Sequence, residues 1–452
     1  MTQKEKKIVI IGGGPTGLGA AWRLHELGYE NWVLYEKQEH FGGHSTTHTD
    51  EKGFMWDEGG HVLFSHYPYF DAFVQKMLGD DYYRHERESW VVLPDARVPY
   101  PFQNNIRYLP PEAQKECLDG LEKIQGTKQP SNNFEEWIHA TFGEGIAKHF
   151  MLPYNFRVWA TPLAQMSKEW IAERVSIVDY ERARKNVEEQ KDDVAWGPNN
   201  TFLFPKFGTG DTYQRAGKFL APHIKTGKEA VGFSFEKKEI TFSDGEKVSY
   251  DALISSVPLT SIASASEDMP EDVRAAGKAL TANSVIIIGL GIERPIKTTT
   301  CWEYYPDTSV PFNRLTYFHN YSPYMVPNAD TERYSSLMLE VCYSKDKPIE
   351  KESVVKDSID ALIRYGILEE ADRGKIISQT VYDVKYGYPI PTLDRDALLG
   401  KIQSYLMERG VYSRGRYGAW KYEISNMDHC FMQGVESIDN ILSGKKEETW
   451  TL

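Results

Sequence analysis

The N-terminal part of the chain combines continuous apolar runs with segments whose apolar residues recur at helical spacing. Continuous runs are typical of parallel strands that are covered on both faces. The pattern predicts a buried strand from Lys7 to Ile11, a glycine turn, and a helix from about Thr16 to Leu27. A second apolar run predicts a strand that ends at Glu36, and together these elements form a βαβ unit.

The pattern changes twice farther along the chain. Residues 133–189 have helical spacing and strong helix formers, which predict a helical domain, and one of its predicted helical stretches runs from 169 to 194. Strands then return, with a hairpin turn at Asp244-Gly245 and a buried strand at 251–258. Five short segments rich in β-branched and aromatic residues, between 284 and 390, predict an antiparallel sheet. A glycine-rich loop and a final helix complete the chain.

The composition indicates a globular protein with two or three domains, because 452 residues exceed one typical core. The net charge of −13 argues against binding to nucleic acid or to an anionic membrane surface. No run approaches the roughly 20 apolar residues of a membrane span. The scattered cysteines predict reduced thiols in a cytoplasmic protein, with no disulfide framework and no metal site; they are Cys117, Cys301, Cys342 and Cys430.

Gly12, Gly14 and Gly17 form a G-x-G-x-x-G signature between the first predicted strand and helix. The first glycine permits the tight turn, the second lets the backbone approach a pyrophosphate, and the third lets helix and strand pack closely. The helix N-terminus offers N–H donors to phosphates. Glu36 lies at the next strand end, where a carboxylate can bind ribose hydroxyls. A glycine turn without a ligand is the alternative, but strand, helix and acid all agree with a dinucleotide site.

A second glycine pair, Gly42-Gly43, favours FAD over NAD as the dinucleotide. It follows the acid directly, and flavoproteins of the amine-oxidase type have a similar pair there. The stretch "WDEGGHVLFSHY" then places Gly60 and His61 close to the same site. A glycine pair lets a backbone come near a flat or charged ligand, so His61 is a candidate to face the flavin. A hydrogen-bonded core histidine is the alternative.

Several further motifs complete a pattern that resembles the UDP-galactopyranose mutase family, closest to its eukaryotic-type branch. They are "DEGGHVLFSHY", "YPFQNN", "NFRVWA", "AERV", "FLFP", "NRLTYFHNYSP", "GYPIPTL" and "GRYGAWKYEISNMDH", in order from the N-terminal signature to His429. The resemblance implies an α/β fold in which a Rossmann-like FAD-binding domain carries an inserted helical domain and an antiparallel β-sheet domain. We expect the FAD domain at 1–80, 200–275 and 405–452, the helical domain at 110–199, and the sheet domain at 81–109 and 276–404.

The resemblance also implies an isomerase that interconverts UDP-galactopyranose and UDP-galactofuranose, a step in cell-surface glycan biosynthesis. N5 of reduced FAD attacks the anomeric carbon and displaces UDP, with no net redox. NADPH is carried over from the family as a candidate reductant, and a homo-oligomer is expected.

Site residues are carried over motif by motif. His61, Arg174 and Arg314 are the expected catalytic residues, the histidine beside the flavin and the arginines as a diphosphate clamp. The glycines named above, Glu36, Arg416, Asn426 and Met427 are expected around the FAD. The expected substrate contacts, besides the two arginines, are Phe64, Tyr100, Gln103, Asn155, Trp159, Asn199, Tyr304, Tyr321, Tyr388 and Tyr422. Taken alone, the tyrosines and Trp159 would indicate ordinary packing, and an arginine a solvated surface charge.

The chain departs from the family pattern at four positions. Asp211 stands where a small residue is expected, Tyr213 where tryptophan is expected, Lys421 where arginine is expected, and Met427 where glutamine is usual. These differences leave open a mutase for another nucleotide sugar. Two other classes are also open: an FAD-dependent oxidase or desaturase of the amine-oxidase type, and a non-catalytic flavin- or nucleotide-sugar-binding protein. The first needs an apolar substrate tunnel, and the second does not need a flavin-facing histidine.

Overall fold

A computed structural model describes residues 6–126, 129–171, 174–197 and 200–451. The helices of this part of the chain are α1 Pro15–Glu26, α2 Pro68–Leu78, α3 Pro111–Ile124, α4 Phe134–Ile146, α5 Leu152–Trp159, α6 Tyr180–Glu188, α7 Gly210–Phe219, α8 Leu259–Ala265, α9 Glu271–Ala279, α10 Val354–Arg364, α11 Arg395–Glu408 and α12 Met427–Ser443. Its strands are β1 Ile8–Ile11, β2 Trp32–Tyr35, β3 Thr47–Thr49, β4 Met55–Asp57, β5 Tyr82–Glu86, β6 Ser89–Val92, β7 Arg97–Pro99, β8 Thr201–Pro205, β9 Ile224–Lys225, β10 Ala230–Ser234, β11 Glu239–Phe242, β12 Lys247–Ser249, β13 Ala252–Ser255, β14 Ser284–Ile292, β15 Trp302–Tyr304, β16 Arg314–Tyr317, β17 Ser335–Tyr343, β18 Ile376–Val384 and β19 Val411–Ser413.

A five-stranded parallel sheet, in the order β19-β13-β1-β2-β9, contains the predicted βαβ unit. All four residues of β1 are buried, as its continuous apolar run predicts. Helix α1 packs tightly against α12, because a Cβ atom at Gly19 would lie 2.2 Å from the carbonyl oxygen of Phe431. This packing fixes the position of α1, the helix that follows the first glycine turn.

Helices α3 to α6 occupy the predicted helical region. Close contact of α3 and α4 depends on glycine, since a Cβ atom at Gly143 would lie 2.3 Å from the backbone of Gly120. The predicted helix over 169–194 is wrong except for α6. Asp179 caps α6 by accepting a hydrogen bond from the backbone N–H of Arg182 at 2.8 Å, so the helix cannot continue backwards. Arg174 and Val175, which precede it, line a cavity instead.

A seven-stranded sheet, in the order β18-β14-β17-β16-β15-β6-β7, holds the five predicted β segments. Its strand pairs are antiparallel except β15–β6, which are parallel. The five predicted segments pair antiparallel with one another, as expected, and the one parallel pair arises because β6 comes from a distant part of the chain and not from a hairpin. The predicted turn at Asp244-Gly245 joins β11 and β12 in a separate three-stranded sheet.

The parallel sheet, the helical region and the mainly antiparallel sheet together confirm the predicted α/β fold class. The exact domain boundaries stay a prediction. Within the residues that the structure describes, none of the helices combines the length and apolar character that crossing a membrane requires.

Candidate active site

A cavity of about 1290 Å³ brings most of the predicted site residues together. Its walls come from the glycine turns after β1 and β2, the loop after β4, helix α5, strands β14 to β18 and the segment that leads into α12. The parallel sheet supplies one end of the cavity, and the helical region and the seven-stranded sheet supply the other. A ligand in this space would contact all three regions.

The two glycine turns face one another at one end of the cavity. Gly42 donates its N–H to the carbonyl oxygen of Gly13 at 2.9 Å, and a Cβ atom at Gly14 would lie 3.8 Å from Gly43. Gly12 and Gly42 have φ angles of +105° and +107°, which favour glycine. Gly17 does not line the cavity: its Cβ would lie 1.8 Å from the carbonyl oxygen of Gly12, so it serves the packing of turn on helix.

Glu36 lies at the end of β2, beside the first glycine turn. Its carboxylate accepts hydrogen bonds from the backbone N–H of Gly13 at 2.6 Å and of Gln38 at 2.8 Å. These bonds hold the carboxylate next to the N-terminus of α1, where Pro15 begins the helix. The result is a backbone cradle for phosphates with an acid beside it for ribose hydroxyls.

His61 lines the cavity, and its Nδ1 atom is buried without a hydrogen-bond partner within the described residues. Burial, together with the charges of Arg416 and Arg314, lowers the pKa of His61 to about 3. The imidazole is therefore neutral near pH 7. The unpaired nitrogen of a neutral imidazole can donate a hydrogen bond to a bound group or accept one from it, depending on the tautomer.

Arg314 is tied to the His61 loop by a carboxylate that sequence reasoning missed. Its Nε donates to Oε1 of Glu340 at 2.9 Å, its Nη2 donates to the carbonyl oxygen of Gly60 at 3.1 Å, and Gly60 N–H donates to the same Glu340 oxygen at 3.0 Å. Burial opposes the charge of Arg314, but Glu340 outweighs it and raises the pKa of Arg314. The one available signal was a glutamate inside the apolar run of β17.

Arg174 lies on the segment before α6 and is held by the loop before α12. Its Nη1 donates to Oδ1 of Asn426 at 3.0 Å, and its Nη2 donates to the carbonyl oxygen of Glu423 at 2.6 Å. The guanidinium also lies over the ring of Tyr422, 5.0 Å from its centroid. Buried Arg395 fixes this loop in turn, because it donates to both carboxylate oxygens of Glu423 at 2.8 Å.

Two more guanidinium groups line the cavity. Arg416 lies 5.0 Å from the ring centroid of Tyr388 and donates to Oγ of Ser425 at 3.0 Å. Arg87, which sequence reasoning missed, lies 5.3 Å from the ring centroid of Tyr100 and donates to Oδ1 of Asn200. Positive charge is therefore concentrated in this cavity although the chain as a whole is acidic.

Aromatic rings form the wall beside the arginines. Tyr304 lies between Tyr100 and Tyr154, with a ring-centroid distance of 5.2 Å to each. Trp159 packs against the rings of Tyr422, Tyr388 and Trp170, and only 2% of its surface is exposed. It therefore presents little surface to the cavity.

Two amide side chains and Phe64, all expected substrate contacts, complete the cavity wall. Gln103 donates its Nε2 to the carbonyl oxygen of Ser176, while its Oε1 is buried without a partner within the described residues. Asn155 donates its Nδ2 to the carbonyl oxygen of Met151 at 2.7 Å. Phe64 and Met427 also line the cavity. The unpaired Gln103 oxygen can accept a hydrogen bond from a ligand N–H.

Two predicted substrate residues are not placed in the cavity wall. Tyr321 does not line the cavity: it is 1% exposed and packs against Phe202 and Phe204. Asn199 lies outside the described residues. Besides Glu340 and Arg87, sequence reasoning missed Tyr154, since one more tyrosine on a helix gives no signal of its own.

The residues present fit an FAD. Open space at Gly14 and Gly43, the helix N-terminus and the Glu36 carboxylate suit a pyrophosphate and a ribose. The unpaired Nδ1 of His61 suits a polar edge of the flavin ring. The remaining part of the cavity, with its arginines, is left for a second, anionic ligand.

Comparisons with known proteins agree with this geometry. The family model for flavin-containing amine oxidoreductases matches residues 15–361 of this chain. A crystal structure of reduced UDP-galactopyranose mutase superposes with a TM-score of 0.95 and 45% identity, covering 99% of this chain and 96% of that one. A fatty acid isomerase from P. acnes that produces CLA shares the fold, with a TM-score of 0.67 and 15% identity over 98% of this chain and all of that one.

One curated relative matches over a short segment. A 4,4'-diaponeurosporene oxygenase of Staphylococcus haemolyticus is 39% identical over 69 residues, which are 15% of this chain and 13% of that protein. The chain therefore spans only a small fraction of this relative.

Proposed function

The chain belongs to the UDP-galactopyranose mutase family of the flavin-containing amine oxidoreductases, and from this premise we propose that it interconverts UDP-galactopyranose and UDP-galactofuranose. The enzyme is a flavin-dependent isomerase with FAD as its cofactor. The observation that carries the proposal is the joint placement of the FAD cradle and the arginines Arg174 and Arg314 in one cavity. A cationic amine would be repelled by two guanidinium groups there, and an apolar substrate would not need them.

Reduced FAD, when bound, supplies the nucleophile that replaces UDP at the anomeric carbon of the sugar. The leaving diphosphate gains negative charge, and Arg174 and Arg314 stabilise that charge because their partners already hold them in place. UDP stays in the cavity and returns to the rearranged sugar, so the reaction has no net redox. The tyrosine hydroxyls of the wall hold the phosphates.

Neutral His61 contributes a hydrogen bond at the flavin side of the cavity without adding a charge. Gln103 contributes an acceptor for the N–H of a uracil, and Asn155 and Phe64 lie in the same wall. Trp159 also lines the cavity. These assignments, like those of the other carried-over site residues, are part of the proposal.

The remaining expectations also belong to the proposal. The product would serve cell-surface glycan biosynthesis, NADPH is the candidate reductant, and the enzyme would act as a homo-oligomer in the cytoplasm. The four cysteines are free and buried, which supports a reducing compartment.

The proposal is tested by an anaerobic assay with UDP-galactofuranose. The assay is run once with oxidised enzyme and once with dithionite-reduced enzyme. We expect conversion to UDP-galactopyranose with the reduced enzyme alone. A yellow protein that bleaches normally but converts nothing would contradict the choice of sugar. Other nucleotide sugars would then be tested, and oxygen uptake in step with product would favour an oxidase.

A further inference from the structure

A cluster of histidines around Glu58 lies in the cavity wall between the cofactor cradle and the His61 loop. His44 donates its Nδ1 to Oε2 of Glu58 at 3.3 Å, and His48 donates its Nε2 to Oε1 of Glu58 at 3.1 Å. All three side chains line the cavity. None of them is needed for the chemistry proposed above.

The local fold explains why these residues meet. Strands β3 and β4 form a hairpin in which Thr47 lies opposite Asp57 and His48 lies opposite Trp56. The chain leaves the Gly42-Gly43 turn, passes through the hairpin and comes back beside its start. Glu58 therefore follows the returning strand and meets His48 of the outgoing strand and His44, which precedes that strand.

Glu58 is also the residue immediately before the Gly59-Gly60 pair that presents His61. Gly59 has a φ angle of +154°, and its carbonyl oxygen accepts a hydrogen bond from the N–H of His61 at 2.8 Å. Gly60 is held on its other side by Glu340, at 3.0 Å. Two carboxylates thus anchor the loop. Glu340 links it to Arg314, and Glu58 links it to His44 beside the Gly42-Gly43 turn.

We propose that Glu58, held by His44 and His48, is a positioning residue for the His61 loop. The proposal rests on the proposed function only in treating His61 as the histidine beside the flavin. The two bonds fix the Glu58 side chain, and Glu58 is joined directly to the glycine pair that presents His61.

Solvent reaches the cluster: the side chains of His44, His48 and Glu58 are 41%, 32% and 21% exposed. Burial acts against the charge of Glu58, but the bonds from both histidines lower the pKa of Glu58 to about 2, so it stays ionised at neutral pH. The other titratable or charged groups that contact the cluster or act on it or on His61 are His40, Asp57, Tyr382, Tyr417, Arg314 and Arg416.

Variants that remove the charge and keep the shape test this inference. Glu58→Gln is compared with the double variant His44→Asn/His48→Asn and with wild type. Glu144→Gln is the matched control, because Glu144 accepts a bond from His139 at 2.9 Å outside the cavity. We expect the kcat of reduced Glu58→Gln enzyme to fall about threefold while its KM stays unchanged, since partly exposed bonds of this kind contribute modestly. The double variant His44→Asn/His48→Asn should show the same change in turnover as Glu58→Gln.

Hydrogen–deuterium exchange of residues 59–64 gives a readout that does not depend on activity. In oxidised holoenzyme at pH 6, we expect exchange about threefold faster in Glu58→Gln and in the double variant than in wild type or Glu144→Gln. Unchanged exchange in Glu58→Gln would overturn the inference, and so would a kcat equal to that of wild type. If no nucleotide sugar is converted, the proposed function fails, while the exchange comparison still decides the role of Glu58.

Discussion

Arg314 on β16 and Glu340 on β17 lie directly opposite one another in the seven-stranded sheet, and their side chains form an ion pair in the cavity wall. Cross-strand neighbours are close enough to interact through their side chains. Because Glu340 also accepts the N–H of Gly60, the pair links the proposed diphosphate clamp to the loop that carries His61. One buried carboxylate therefore orients groups on both sides of the site.

Removal of Glu340 should destabilise the protein. Glu340→Ala leaves Arg314 in a mostly buried position without its counter-charge, and such losses cost about 3 kcal/mol. Glu340→Gln keeps an acceptor for Gly60 and should cost less. Thermal unfolding of the holoenzyme, followed by flavin fluorescence, measures both. A Glu340→Ala protein as stable as wild type would contradict the structural role.

Removal of either clamp arginine should reduce turnover much more than it alters the flavin spectrum. We expect Arg174→Ala and Arg314→Ala each to lower kcat about 100-fold, as the loss of a preorganised donor to developing charge does in other enzymes. Arg333→Ala is the control, because Arg333 forms an exposed pair with Glu293. The measurement is the anaerobic assay with reduced enzyme. Near-normal turnover in both variants would refute the clamp.

The glycines of the first turn should separate into a binding glycine and a packing glycine. A Cβ atom at Gly14 has ordinary 3.8 Å contacts, so Gly14→Ala should fold but obstruct the approach of the pyrophosphate and lose FAD. A Cβ atom at Gly17 would lie 1.8 Å from the oxygen of Gly12, so Gly17→Ala should lower stability itself. The ratio of absorbance at the flavin and protein bands, with circular dichroism, distinguishes these outcomes. A folded, fully yellow Gly14→Ala protein would contradict the assignment.

Loss of His61 should slow the reaction while FAD stays bound. His61 offers its unpaired Nδ1 to the cavity, whereas the glycine turns and Glu36 supply the cradle that holds the dinucleotide. We expect His61→Ala to lower kcat at least tenfold, a typical contribution of one positioned polar group. Flavin content and single-turnover rates are to be measured together. Normal rates in a fully loaded variant would show that the histidine is only structural.

Local patterns in the sequence were enough for the elements that carry their own signal. The strand, glycine turn and helix around Gly14 need only neighbouring residues, and the apolar run of β14 is unmistakable. The same reasoning failed over 174–179, where α6 has not yet begun and Arg174 and Val175 line the cavity instead. Tertiary contacts override helix propensity there.

Contacts between distant segments were beyond the reach of sequence patterns. The pairing of Glu340 with Arg314 depends on the register of β16 against β17, and the meeting of Glu58 with two histidines depends on the register of the β3–β4 hairpin. A shift of one residue would turn these side chains to the other face. The resemblance located Arg314 because a motif marks it, but no motif marked its partner.

The neutral state of His61 predicts how stability changes with pH. The pKa of His61 is about 3 in the folded protein and about 6.5 for an ordinary histidine in an unfolded chain. Between these values the unfolded chain binds a proton that the folded protein does not bind, so stability is full above about pH 6.5 and falls as the pH decreases, by at most about 1.4 kcal/mol per pH unit.

His61→Gln removes this contribution, and its stability should depend less steeply on pH between 4.5 and 6.5. Urea unfolding of the oxidised holoenzyme across that range measures the slope, with His139→Gln on α4 as the control. Equal slopes in wild type and His61→Gln would mean that His61 accepts a proton in the folded protein and is not the neutral hydrogen-bonding group proposed here.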